Sequence, residues 1–100
     1  MKGYWIAHVQ VNDADAYQNY LAKAPAALAA YGAKMLSRGE DFTMLEGDQP
    51  TPTRAVVFEF ESYETALACY HSDAYQAARA NRLDCANATI LILKGLPSQS

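Results

Sequence analysis

Positive charge is scarce in this chain. Lys and Arg together number 8 among 100 residues, against 11 Asp and Glu, and the formal net charge is −3. The basic residues are scattered from Lys2 to Lys94 and form no stripe. That disfavours nucleic-acid binding through phosphate neutralisation and docking on an anionic membrane. Long apolar runs are missing as well. No stretch reaches the ~20 apolar residues of a membrane helix. The softest stretch, 24–33, is rich in Ala and contains Pro25. Cysteine is limited to Cys69 and Cys85, which lack metal-ligand spacing and any neighbouring His or Cys pattern. They read as two small buried or half-buried thiols, suited to a reducing cytoplasm. Tyr4-Trp5-Ile6 reads as the start of a strand, so no secretory or transit segment is expected. There is no nucleotide loop, nucleophile elbow or metal-site motif, and the expectation is a protein without metal or organic cofactor.

What is present suits a packed globule. Hydrophobic residues make up 51% and charged residues 19%. The length allows one domain, taken as 1–95, with a short polar tail over 96–100. A monomer of this size buries only about two thirds of its unfolded surface, so association would help it.

Residues 3–11 alternate, with Trp5, Ala7, Val9 and Val11 opposite Tyr4, Ile6, His8 and Gln10. Asn12-Asp13 ends this strand and offers a helix cap. Tyr17, Tyr20, Leu21, Ala24, Leu28 and Tyr31 then recur at helical spacing. Pro25 is expected to break or kink the helix, and Gly32 to stop it. A second strand is expected over 33–37, a bulge at Gly39, and an extended segment over 42–46. Gly47 to Thr53 has loop composition. Residues 54–60 form the third strand, with Val56, Phe58 and Phe60 on one face and Ala55, Val57 and Glu59 on the other. Ser62 caps the next helix, which should restart at Ser72-Asp73, with Tyr75, Ala78 and Arg82 spaced along the second piece. Residues 88–94 are the last strand.

The βαββαβ order points to an α+β ferredoxin-like split fold: a four-stranded antiparallel sheet, first and third strands central, helices on one face. The last strand is apolar on both sides: Thr89, Leu91 and Leu93 against Ile90 and Ile92. A half-solvated sheet would alternate cleanly. A second copy of the chain is the simplest cover for the face that the helices leave bare, so a homodimer is expected.

Gly3-Tyr4-Trp5-Ile6, Tyr17 with Tyr20, Arg38-Gly39, Leu45-Glu46-Gly47, Val56 to Phe60, and Tyr70-His71-Ser72 with Tyr75-Gln76 occur in this order. Over nearly its whole length the chain thereby resembles the small bacterial family called Domain of Unknown Function 1330. The resemblance implies the dimeric α+β barrel superfamily, in which two sheets face each other. It implies no particular reaction.

His8 is the sharpest candidate for chemistry. It lies mid-strand on the more polar face, and Glu59 has the matching parity on a neighbouring strand. An imidazole oriented by a carboxylate is a plausible general base. The alternative is a polar pair that only satisfies a buried interface. Arg38, beside the expected bulge, is a candidate clamp for a substrate carboxylate, or else a salt-bridge partner of Glu59 or Glu46. Tyr4 shares the His8 face and is a candidate pocket-lining phenol, or else core packing with one wet end. His71 is expected to face solvent or cap a helix. Three readings follow: a cofactor-independent enzyme acting on a small carboxylate-bearing or aromatic metabolite, a non-catalytic ligand-binding or stress-related dimer, and a structural dimer with a filled barrel.

Overall fold

The computed structural model describes residues 1–48 and 51–97. Part of the expected 47–53 loop and the end of the expected 96–100 tail fall outside those residues. The element order is β1 (Gly3–Val11), α1 (Ala14–Ala29), β2 (Lys34–Gly39), β3 (Arg54–Phe60), α2 (Tyr63–His71), α3 (Asp73–Ala80) and β4 (Ala86–Lys94). All four strands join one antiparallel sheet in the order β2-β3-β1-β4, so β1 and β3 are central. This is the ferredoxin-like α+β fold that the element order predicts.

Side-chain parity decides which face each residue serves. Trp5, Ala7 and Val9 of β1, Phe58 and Phe60 of β3 and Ala86 of β4 are buried beneath the helices. Trp5 stacks on Phe60 at 6.0 Å and meets the edge of Tyr75 at 4.9 Å between centroids. Burying aromatic rings of this size is the largest stabilising contribution the core makes. On the opposite face, Tyr4, Ile6, His8 and Gln10 lie beside Leu93, Leu91, Thr89 and Asn87 of β4, and no helix covers them. Leu91 and Leu93 are 46% and 49% exposed, a large apolar surface for one chain to leave in water.

The helix ends follow their caps. Asp13 Oδ1 accepts from the Ala16 N–H at 3.1 Å and opens α1. The Ser72 hydroxyl serves two helices: it donates to the Cys69 carbonyl at 2.7 Å and accepts from the Tyr75 N–H at 3.2 Å. That one residue makes the expected break between α2 and α3. Gly3 is fixed by lack of space, since a Cβ there would stand 2.6 Å from the Ser62 carbonyl oxygen. β1 can therefore approach the start of α2 only as glycine. Among the described residues, no helix is long and apolar enough to cross a membrane.

Three local expectations need correction. Of the break or kink expected at Pro25, the break does not occur: α1 runs continuously through it. Proline removes one backbone donor, but the surrounding alanines favour helix, and buried Ala24, Ala27 and Leu28 anchor the turn on both sides. The irregularity in β2 falls at Leu36, between Met35 and Ser37, and not at Gly39. The segment 42–46 forms no strand. It has no sheet neighbour there, and alternation alone does not hold an extended chain.

Candidate functional site

The sheet register separates the residues that parity had grouped. His8 and Glu59 do share the open face, but His8 stands opposite Ala55, while Glu59 stands opposite Tyr4. The two positions are four residues apart along the strand, about 14 Å. Glu59 accepts instead from the Tyr4 hydroxyl, at 3.3 Å. Burial, then the Glu59 charge and that hydrogen bond, raise the Tyr4 pKa. A base dyad of His8 with Glu59 is therefore ruled out within one chain. Arg38 is also misplaced by the sequence reading. The extra residue at Leu36 shifts its phase, so it stands opposite Val56, on the parity of the helix side, and it is exposed. It does not reach His8 or Glu59. His8 instead lines a trough of about 460 Å³ with Gln10, Met44, Pro52, Asn87, Ala88 and Thr89.

The more apolar pocket, and the one buried cation among the described residues, lie on the other side of the sheet. A cavity of about 250 Å³ lies between α1 and the sheet. Its walls are apolar: Trp5, Val9, Leu21, Leu28, Phe58 and Ile90 among them. Four groups bring polarity to it: Tyr17, Tyr20, Arg54 and Arg82. No Asp or Glu lines it among the described residues.

Arg82 is 6% exposed and follows α3 in the turn that leads to β4. That turn is pinned from both sides. Its Cys85 carbonyl accepts from the Asn12 and Asp13 N–H groups, and the Cys85 N–H donates to the Arg82 carbonyl. The guanidinium donates to the Tyr75 hydroxyl at 3.3 Å and lies 5.4 Å over the Tyr20 ring. Burial acts to lower the Arg82 pKa, and the Tyr75 and Tyr20 phenols outweigh it, so the pKa stands above its usual value. The Tyr20 and Tyr75 hydroxyls are 2.9 Å apart. Burial, followed by that neighbour, raises the Tyr20 pKa, so the phenol is neutral across the physiological range. Arg54 lies 5.9 Å over the Tyr17 ring. Burial raises the Tyr17 pKa, against the opposing pull of Arg54 and Arg82.

Sequence reasoning missed this site although two signals were there. Arg54 has the parity of Val56, Phe58 and Phe60, which all face the helices. Arg82 falls on the stripe of Tyr75 and Ala78. A cation on a buried parity or stripe is the informative exception in a pattern of apolar residues.

Residues 2–96 match the model of the family described as Domain of unknown function (DUF1330). The chain belongs to that family. Solved structures share the fold at low identity. A protein of unknown function from Rhodopseudomonas palustris is 19% identical, with a TM-score of 0.75 over 95% of this chain and 82% of that one. A cofactor-independent oxygenase from Streptomyces nogalater is 6% identical, with a TM-score of 0.66 over 97% and 95%. A dimeric protein of unknown function from Bacteroides fragilis, with a ferredoxin-like fold, is 12% identical, with a TM-score of 0.64 over 94% and 96%. No curated protein matches the chain.

Proposed function

We propose that this DUF1330 chain binds a small, largely apolar molecule in the cavity between α1 and the sheet, and that it does so as a homodimer joined across the open sheet face. The cavity carries the first part. Its volume of about 250 Å³ lies under the ~300 Å³ at which drug-sized sites begin and above the ~150 Å³ that suffices for a benzene ring, so it suits one small ring system, and its lining mixes apolar walls with a few polar groups. The fold it shares with a cofactor-independent oxygenase supports a small-molecule protein and leaves turnover to be measured. The homodimer rests on Leu91 and Leu93, which are about half exposed beside Ile6 and Val57, and on the dimeric relative of the same fold.

Trp5 is the only tryptophan and lines the cavity, so its fluorescence reports occupancy. Titration with neutral 1-naphthalenemethanol should change that emission saturably. Ala24→Leu, which adds side-chain volume at the cavity wall, should abolish the response while the chain stays folded. An unsaturable response, or one that Ala24→Leu leaves intact, would refute the cavity as a binding site.

A further inference from the structure

We infer that the molecule taken up is an acid: an aromatic or alicyclic carboxylate whose anionic group meets Arg82 and the Tyr20 hydroxyl. This rests on the cavity reading above and adds the charge of the ligand to it. The first observation is the missing counter-ion. Arg82 is 94% buried by its 6% exposure, yet among the described residues no carboxylate pairs with it, and its side-chain hydrogen bond goes to a neutral phenol. A buried cation is costly unless it is paired. Among the described residues, no buried side-chain nitrogen or oxygen is both sealed off and without a hydrogen bond. The donors of Arg82 that Tyr75 leaves unused therefore keep access to open space, and Arg82 lines the cavity.

The second observation is a count of protons. The Tyr75 oxygen accepts from Arg82, and Tyr75 and Tyr20 share one hydrogen bond. Two phenols have two O–H protons, and one bond uses one of them. Either phenol can be the donor; an anion in the cavity selects the arrangement in which Tyr75 donates to Tyr20, because Tyr20 is the member of the pair that lines the cavity and its own proton is then left over. Guanidinium and phenol then both present donors to one place, and the guanidinium brings a full positive charge. A carboxylate is acceptor-only and matches the planar fork of an arginine. The remaining walls are apolar, so the rest of the ligand is a ring or compact hydrocarbon body. Arg54 adds positive potential at the same cavity.

The test compares two probes of one shape, 1-naphthoate and 1-naphthalenemethanol, by Trp5 fluorescence and calorimetry. In the unaltered protein the acid should bind about tenfold tighter or more, as expected of a charge-assisted contact. Arg82→Gln should erase that preference, so that the acid binds the variant no more tightly than the alcohol does. Nitrogen-15 spectra of the unaltered protein give a second readout that needs no variant. The Arg82 Nε–Hε resonance should move with naphthoate and stay in place with the alcohol. If the alcohol binds as tightly as the acid, or if naphthoate leaves the Arg82 resonance unmoved, the acid preference is wrong and the cavity stands. If neither probe binds, the cavity reading itself fails, and this inference with it.

Discussion

The two faces of the sheet are built from the same strands and differ in almost every physical respect. Under the helices, Trp5, Ala7, Val9, Phe58 and Phe60 are sealed, and the polar groups admitted there, Arg82 above all, are held by aromatic neighbours. On the open face, Tyr4, Ile6 and His8 alternate with them residue by residue and remain half-buried or exposed. His8 looks like chemistry in the sequence because it is a titratable group in an apolar strand. In the fold it is exposed, and among the described residues no carboxylate orients it. Burial is what makes a polar group consequential, since its interactions strengthen as water is removed. The site is therefore better sought where a charge is buried without a counter-ion than where a familiar catalytic residue occurs.

Adjacent residues of β1 put this contrast to its largest test. Trp5→Ala should cost about 3–5 kcal/mol in urea unfolding, because the ring is 2% exposed and contacts Phe58, Phe60, Tyr70 and Tyr75. Ile6→Ala, one residue on, should cost under about 1.5 kcal/mol in dilute protein, because its side chain lies on the bare face. Equal losses would mean that the open face is covered within a single chain.

A smaller effect separates folding from association. Ile92 stands opposite Trp5 and packs on the core, whereas Leu91 stands opposite Ile6 on the open face. Ile92→Asp should lose about 2–4 kcal/mol and unfold a fraction of the protein, because a carboxylate beside the core has no partner there. Leu91→Asp should keep its circular dichroism and sediment as a monomer at micromolar concentration. A Leu91→Asp variant that still sediments as a dimer would remove the open face as the interface.

Much of this frame was legible in the sequence. The alternation of β1 and β3, the caps at Asp13, Ser62 and Ser72, and the two-sided apolarity of β4 are local patterns with one good structural solution. The site was less legible, for a definable reason. Parity assigns a residue to a face but does not place it along the strand, and Glu59 faces Tyr4 rather than His8 because pairing register is a long-range property. The inserted residue at Leu36 reversed the phase of Arg38, and nothing in Met35-Leu36-Ser37 marks it. Arg82 contacts Tyr20 across two elements, a proximity that only the packed helices create.

The subtlest test exploits pH, because it reads burial on the helix side with a single sulfur. Cys69 is fully buried in α2, near the Ala27 carbonyl, and burial raises its thiol pKa from 9.0 to about 11. In the unfolded chain the thiol ionises near its ordinary value, while in the folded protein it stays protonated. The folded state thus holds more protons than the unfolded one between pH 9 and about 11. Stability falls with rising pH wherever the native state is the better proton binder. The contribution of Cys69 is therefore complete below pH 9 and is lost as pH rises towards 11. Tyr4, Tyr17 and Tyr20, also raised by burial, add to the loss only above the ordinary phenol value of 10.0. The window from 9 to 10 isolates the thiol. Cys69→Ala should cost roughly 1 kcal/mol at neutral pH through lost packing. Across that window the urea midpoint of the unaltered protein should fall while that of the variant stays nearly level. Parallel curves would show that the sulfur is reached by water, and that α2 covers the sheet less tightly than its burial implies.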